Sequence, residues 1–122
     1  MKREHIEQLM KGITEPVLLY LINEMPTYGY NIIKELEKRT TGYFKLKGGT
    51  IYPALRRLET RGLIKSKWQR TTERQARKYY QITEKGRQFL SGRLAEWTDF
   101  ARAIGMLIGV SNTGKTVPSN SA

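Results

Sequence analysis

A chain of 122 residues suffices for one domain with a modest core. The absence of cysteine excludes disulfide frameworks, thiolate zinc sites and thiol redox sensing, as expected of a cytoplasmic protein. No run approaches the ~18 apolar residues of a membrane span, and the polar N-terminus lacks the apolar segment of a signal peptide. Residues 38–78 hold 13 basic and two acidic residues, which accounts for the whole net charge of +11, because the remainder holds nine of each. This basic segment predicts a surface that binds a polyanion, and it lacks the broad Trp, Phe and Leu face with which a helix binds acidic membrane.

The N-terminal part of the chain predicts two helices. Residues 3–11 form a short amphipathic pattern. Its inward side chains are expected to be Ile6, Leu9 and Met10. Thr14 is placed as the capping residue of the next helix, with Pro16 in its first turn. Residues 17–22 are apolar nearly all round, so this helix should be the most buried. The single histidine, His5, is interpreted as a solvated side chain.

Residues 27–30 predict a turn that leads into a further helix over residues 31–39, apolar on one face and charged on the other. Short helices joined by a turn are typical of a helix-turn-helix, here with a turn longer than the tightest type. Tyr28 and Tyr30 could hydrogen-bond phosphates at the start of this helix. We expect at least one of them, Tyr30, to pack in the core instead.

Residues 47–64 predict a recognition helix followed by a strand. The stripe that would face a core consists of Ile51, Ala54, Leu55 and Leu58. The opposite side carries Pro53, Arg56, Arg57 and Thr60, flanked by Tyr52 and Thr50. Tyr52 and Arg56 lie one turn apart and could reach base edges, the arginine preferring guanine. Backbone amides at the helix start, together with Lys45 and Lys47, would bind phosphate, and Gly62 would end the helix. An ordinary amphipathic surface helix is the alternative interpretation.

Two antiparallel strands are predicted over residues 63–68 and 78–82, joined by a polar, basic segment without a tight turn. This segment predicts a long, mobile tip from Gln69 to Arg77. The basic side chains of the hairpin tip are Arg70, Arg74, Arg77 and Lys78. A basic wing beside a basic helix favours contacts with the DNA backbone, and a solvated loop is the alternative. Tyr79 and Tyr80 alternate along the strand, so one of them should be buried.

Thr83 and Glu84 are expected to cap a long helix that ends near Ile108. Apolar residues recur along it at intervals of 4, 3, 4, 3 and 4. This seam, as we call it, comprises Leu90, Leu94, Trp97, Ala101, Ile104 and Ile108. Its spacing resembles a coiled coil and favours packing on a second copy of the chain, flanked by Ile6 and Leu9 of the N-terminal helix. Packing on its own domain is the alternative.

Glycines at positions 86, 92 and 105 should weaken the long helix by roughly 1 kcal/mol each relative to alanine, which also favours support from a partner. Trp97 in the middle of the seam would either pack in the dimer or form an aromatic wall for a planar effector. Residues 109–122 are rich in Ser, Asn, Thr and Gly and are expected to be disordered.

Residues 109–116 match the P-loop pattern G-x-x-x-x-G-K-[ST] letter for letter. Phosphate binding by that loop needs a strand before it and a helix after it, because amides at the helix N-terminus hold the phosphates. Here a helix is predicted before the match, and six residues follow it. We therefore expect no nucleotide at Gly109–Thr116. Since no Ser-His-Asp, Cys-His or paired-carboxylate pattern occurs either, we expect neither an enzyme nor a cofactor or metal site.

Three segments together resemble the PadR family of bacterial transcriptional regulators. Residues 26–33 read PTYGYNII, residues 49–59 read GTIYPALRRLE before Gly62-Leu63-Ile64, and residues 77–86 read RKYYQITEKG. The resemblance covers roughly residues 10–108, and the single C-terminal helix is similar to the small subfamily.

The resemblance implies a homodimer that binds a partly palindromic operator, usually represses, and is released by a planar aromatic effector at the dimer interface. It also implies that the helix carrying Thr50, Tyr52, Pro53 and Arg56 enters the major groove while the wing contacts the backbone or the minor groove. Two features depart from the family pattern. The wing tip reads TTERQAR over residues 71–77 where glycines are common, and Gly48 stands where proline is common.

The predicted fold is mainly α (α+β): a winged helix-turn-helix with a two-stranded wing over residues 1–82, a dimerisation helix over 83–108 and a tail over 109–122. The predicted DNA-binding residues are Tyr28, Lys45, Lys47, Gly49, Thr50, Tyr52, Pro53, Arg56, Arg57, Arg70, Arg74, Arg77 and Lys78. Alternatives to a DNA-binding regulator are a winged-helix adaptor that binds protein and a nucleic-acid-binding protein indifferent to sequence.

Overall fold

A computed structural model of the chain describes residues 8–70 and 75–109. The elements, in chain order, are α1 (Thr14–Glu24), β1 (Thr27–Tyr28), α2 (Gly29–Arg39), α3 (Gly48–Thr60), β2 (Ile64–Arg70), β3 (Ala76–Ile82) and α4 (Glu84–Ile108). The chain divides into two compact units, Met1–Leu90 and Ser91–Ala122. His5 and Ile6 lie outside the described residues.

Helix α1 lies in the core of the first unit, as its nearly continuous apolar sequence predicts. Leu18, Leu19 and Ile22 are fully buried. The helix begins at Thr14, but the prediction that Thr14 caps it was wrong, because the hydroxyl of Thr14 donates a hydrogen bond to the Met10 carbonyl. Of the preceding residues, Met10 is buried as predicted, but Leu9 is 65% exposed and does not point inward.

Helix α3 packs through the predicted stripe and ends where glycine was expected. The side chains of Ile51, Ala54, Leu55 and Leu58 are inaccessible to solvent. Gly62 adopts a left-handed φ of +79°, which lets its amide bond the Glu59 carbonyl and the Leu63 amide bond the Leu58 carbonyl. This pair of bonds is the Schellman arrangement that turns the chain sharply out of a helix. The strand β2 therefore begins directly beside the recognition helix.

The described strands form a three-stranded antiparallel sheet in the order β1-β3-β2. The predicted pairing of the wing is confirmed, with Ile64 opposite Ile82 and Arg70 opposite Ala76. Residues 27 and 28 are not only a turn, since Thr27 pairs with Tyr80 and so attaches the start of α2 to the wing. Both wing strands are longer than predicted, which shortens the connection between them to residues 71–75.

Helix α4 begins as predicted, because the hydroxyl of Thr83 accepts a hydrogen bond from the amide of Gly86 at 3.0 Å. Within the first unit, Leu90 is buried and Gly86 lies against the backbone of Leu63. Within the second unit, the residues of the seam other than Leu94 and Ala101 are exposed in the single chain.

Candidate nucleic-acid interface

The face of α3 opposite the buried stripe presents the side chains that the sequence placed there. Tyr52 is 42% exposed, and Arg56 is exposed one turn further along. Pro53 between them is half-buried. This arrangement leaves a phenol and a guanidinium side by side on an outward surface of a well-anchored helix, a geometry that suits hydrogen bonding to base edges in a groove.

The start of α3 is the second predicted contact region. Lys45 and Lys47 are exposed on either side of the buried Leu46, which holds the loop against the core. Gly49 and Thr50 are exposed in the first turn of the helix. Among the described residues, no side chain caps this helix end, so its first amides remain available to an anion.

The arginines of the basic segment differ in their partners. Arg57 and Arg61 both bind Glu15 at the start of α1, with nitrogen–oxygen distances of 3.0 and 2.6 Å. Within residues 8–70 and 75–109, no carboxylate pairs with Arg56. The ion pairs therefore attach one side of α3 to the core and leave Arg56 as the arginine of this helix that is available to an external anion.

Tyr28 connects the start of α2 with the wing. The guanidinium of Arg77 lies 4.3 Å from the centre of the Tyr28 ring, and the ring of Tyr79 meets it edge-on at 5.2 Å. A cation held over an aromatic face keeps its charge while its orientation is restricted. Arg77 is thus a positioned cation of the wing, and Tyr28 supports it through its ring.

The prediction that Tyr30 packs in the core was wrong. Its side chain is 58% exposed, and the ammonium of Lys34 lies 5.4 Å from its ring centre. Tyr30 lies in the first turn of α2, because that helix begins at Gly29, whereas the sequence predicted a turn over residues 27–30. The companion prediction for β3 is confirmed, because Tyr80 is buried while Tyr79 is not.

The wing is attached to the end of α3 through Glu59. The carboxylate of Glu59 accepts a hydrogen bond of 2.6 Å from the Ser66 hydroxyl on β2, and Lys78 on β3 approaches it at 3.8 Å. Lys78 is therefore partly neutralised. Arg70 is exposed at the end of β2, and Arg74 lies outside the described residues.

A cleft of about 450 Å³ separates the recognition helix from the wing. Its walls carry Tyr52, Arg56 and Glu59 on one side and Trp68, Arg77 and Lys78 on the other. Burial, with a smaller contribution from Glu59, raises the pKa of the Tyr80 hydroxyl in this cleft above its ordinary value. The cleft is aromatic and cationic, the combination that contacts with nucleic acid use.

Other sequence patterns lead to no site in the described part of the chain. In residues 8–70 and 75–109, no group of three or more histidine, aspartate or glutamate side chains is placed to hold a metal ion. No helix of the described ranges is long and apolar enough to cross a bilayer. The P-loop-like match lies outside the described residues except for Gly109, which follows the end of α4.

The fold and the site define a winged helix-turn-helix protein of the DNA-binding class: a recognition helix with an outward aromatic and cationic face, beside a basic β-hairpin. Residues 18–92 match the model of the transcriptional regulator PadR-like family. The chain belongs to the PadR family and is a PadR-like transcriptional regulator, not an enzyme.

Similar proteins come from several organisms. The chain is 32% identical over 100 residues to an uncharacterized protein of Lysinibacillus sphaericus, covering 82% of this chain and 92% of that one. A transcriptional regulator from Clostridium thermocellum superposes with a TM-score of 0.75 at 31% identity, covering 81% and 96% of the two chains. A PadR-like regulator from Bacillus cereus gives a TM-score of 0.75 at 31% identity, covering 85% and 99%.

Sequence reasoning missed several contacts around the interface. Tyr52 lies against Gly29 and Gly48, and Glu59 connects α3 with the wing. The signal for the first contact was a glycine between two tyrosines at a helix start, where glycine is a poor helix former. The second contact left no local signal, because Ser66 is an ordinary strand residue.

Proposed function

We propose that this PadR-like regulator acts in the cytoplasm as a homodimeric repressor that binds a palindromic operator. The observation that carries the proposal is the exposed Arg56 beside Tyr52 on the outward face of a closely packed helix. No carboxylate of the described residues pairs with Arg56, and it lies within the segment that holds the whole excess positive charge. The first turn of α3 would lie in the major groove, with Tyr52 and Arg56 at base edges. Arg56 would prefer guanine, which it can bind with two hydrogen bonds.

The remaining predicted contacts would fix the protein on the duplex without reading sequence. Lys45, Lys47 and the first amides of α3 would bind phosphates beside the groove. Arg77, held over Tyr28, and Arg70 would reach the backbone on the other side of the recognition helix. Such contacts set register and orientation, and they make affinity depend on salt.

The apolar surface of α4 supports the homodimer. Trp97, Phe100 and Ile108 are exposed in the single chain, at 39%, 65% and 62%. Soluble chains rarely leave large apolar side chains exposed at such close spacing along one helix, and a second copy would cover them. A two-fold dimer would place two recognition helices ~34 Å apart, one turn of DNA, which is the geometric reason for a palindromic operator.

The experiment that tests the proposal is selection of bound duplexes from random DNA, combined with sedimentation of the protein with and without the selected site. We expect an inverted repeat and one dimer per site, and transcription from a promoter that contains the site should fall. If duplexes are bound but no sequence is enriched, the protein binds nucleic acid without sequence preference. Absence of binding to any duplex would favour a protein-binding adaptor.

Arg77→Gln should weaken binding to operator and random duplex equally. If Arg77 neutralises one phosphate, the slope of log affinity against log salt should become less steep by about 1. Fluorescence anisotropy over a series of salt concentrations measures this slope. Arg87→Gln is the matched control, because Arg87 lies outside the basic segment and pairs with Glu84. An unchanged slope for Arg77→Gln would show that Arg77 does not neutralise a phosphate.

We also propose a planar aromatic effector that binds against Trp97 in the dimer. The chain has two tryptophans, so Trp68→Phe leaves Trp97 as the sole indole. Planar phenolic compounds should quench its fluorescence with a saturable dependence and reduce operator affinity in the same concentration range. Saturable quenching that persists only when Trp68 is present would place the compound in the DNA-binding cleft and not in the dimer.

A further inference from the structure

The ring of Tyr52 fits a slot between two glycines. A methyl group on Gly29 would overlap Cε1 of Tyr52 and would lie 2.7 Å from both Cζ and Oη. On the other edge of the ring, a methyl group on Gly48 would lie 3.2 Å from Cδ2 and Cε2. Both glycines are therefore in van der Waals contact with the ring, and a side chain at position 29 cannot share the space that the ring occupies.

The two glycines come from different elements. Gly29 is the first residue of α2 and is buried, and its neighbour Tyr28 belongs to the sheet through β1. Gly48 is the first residue of α3 itself. The phenol is consequently positioned relative to α2 and the wing as well as to its own helix. A tyrosine on a free helical surface would instead exchange between rotamers.

We propose that Gly29 is a specificity-determining positioning residue, which sets where the Tyr52 phenol meets a base edge without contacting DNA itself. The inference rests on the proposed role of Tyr52 in base reading. Discrimination between bases depends on hydrogen-bond geometry, whereas binding to phosphates tolerates small displacements of a side chain. Displacing the ring should therefore reduce sequence preference and leave general DNA affinity intact.

The variant that tests the slot is Gly29→Ala in the full chain. We expect the ratio of operator to random-duplex affinity to fall about tenfold, the loss expected of a displaced hydrogen bond to a base. Affinity for random duplex and its salt slope should not change. In a Tyr52→Ala background, where the ring is absent, Gly29→Ala should change the ratio no further. Gly92→Ala is the control, because a methyl group at Gly92 meets nothing within 4 Å.

A measurement without DNA tests the position of the Tyr52 ring independently of its proposed contact with a base. Tyrosine residues carrying a fluorine label give ¹⁹F signals, and Tyr52→Phe identifies the signal of Tyr52. Gly29→Ala should shift this signal, and Gly48→Ala, which brings a methyl group less close to the ring, should shift it less. Gly48→Ala replaces Gly29→Ala in this test if Gly29→Ala does not fold. An unchanged Tyr52 signal in the folded variants would refute the contact between the ring and the two glycines.

Four possible results with DNA decide the roles of Gly29 and Tyr52. A shifted Tyr52 signal with an unchanged affinity ratio would overturn the positioning role. An unchanged ratio in Tyr52→Ala, with specific binding by the parent protein, would refute Tyr52 as a base reader and with it the role of Gly29. Loss of preference in Gly29→Ala that also appears in the Tyr52→Ala background would show that Gly29 acts by another route. A parent protein without sequence preference would instead refute the proposed function itself.

Discussion

Arg56→Ala is expected to reduce operator affinity by ~1–3 kcal/mol, mostly at one base pair of each half-site. Arg56 is exposed beside Tyr52, and no carboxylate of the described residues competes for its guanidinium. An arginine that makes two hydrogen bonds to guanine loses them both on truncation, so every base at that position should bind about equally well to the variant. Titration of the operator and its single-base variants measures both the loss and the flattened preference.

Arg57→Ala is the matched control, since the residue is adjacent and of the same type. Its guanidinium bonds Glu15 at 3.0 Å and points toward α1 in doing so. An exposed ion pair contributes at most ~1 kcal/mol to stability, so the fold should survive this change. We expect a uniform weakening of DNA binding at most, with the base preference intact. Loss of base preference in Arg57→Ala and its retention in Arg56→Ala would reverse the assigned roles.

The sequence predicted α3 and its end well because both are determined by neighbouring residues. Ile51, Leu55 and Leu58 repeat with the helical period, and such a stripe is buried wherever a core is available. Gly62 can adopt a left-handed φ at little cost, so the helix ends there whatever surrounds it. The pairing of the wing followed from two β-prone runs of similar length for the same local reason.

Two features that were predicted wrongly depend on distant residues. Thr27 becomes a strand residue because Tyr80, more than fifty positions later, offers its backbone. A segment of two residues has no detectable period, and its pairing partner cannot be identified from its own sequence. The wrong placement of Tyr30 has a similar origin, since residues 27 and 28 pair with β3 and α2 starts directly after them, so that Tyr30 lies in the helix and not in a turn.

In the candidate site, too, some features are determined by neighbouring residues and others by distant residues. Helical spacing placed Arg56 and Arg57 together on the outward side of α3, and nothing local distinguishes two adjacent arginines. Glu15 distinguishes them, because it lies at the start of another helix that packs against α3 and takes one of the two. The slot of Tyr52 also needs a residue of another element, Gly29. Sequence periodicity thus identified the surface of the site, and tertiary contacts assign the roles within it.

The glycines of α4 also differ in their tertiary contacts, although the sequence suggested that each of them weakens the helix. A methyl group on Gly86 would overlap the carbonyl oxygen of Leu63 and lie 2.8 Å from Cγ1 of Ile82. The absence of a side chain lets the first turn of α4 approach the backbone of Leu63, which lies between the end of α3 and the start of β2. At Gly92, by contrast, a methyl group would enter open space.

Gly86→Ala is therefore expected to destabilise the protein by about 3 kcal/mol, the upper part of the range for overpacking, because backbone must move to relieve the clash. Gly92→Ala should stabilise it by up to about 1 kcal/mol, since alanine favours the helix and nothing obstructs its methyl group. Thermal denaturation at one protein concentration compares the two, with a midpoint lowered by ~10 °C or more for the first variant and slightly raised for the second. Equal midpoints for both variants would mean that the first turn of α4 does not pack closely against Leu63 and Ile82.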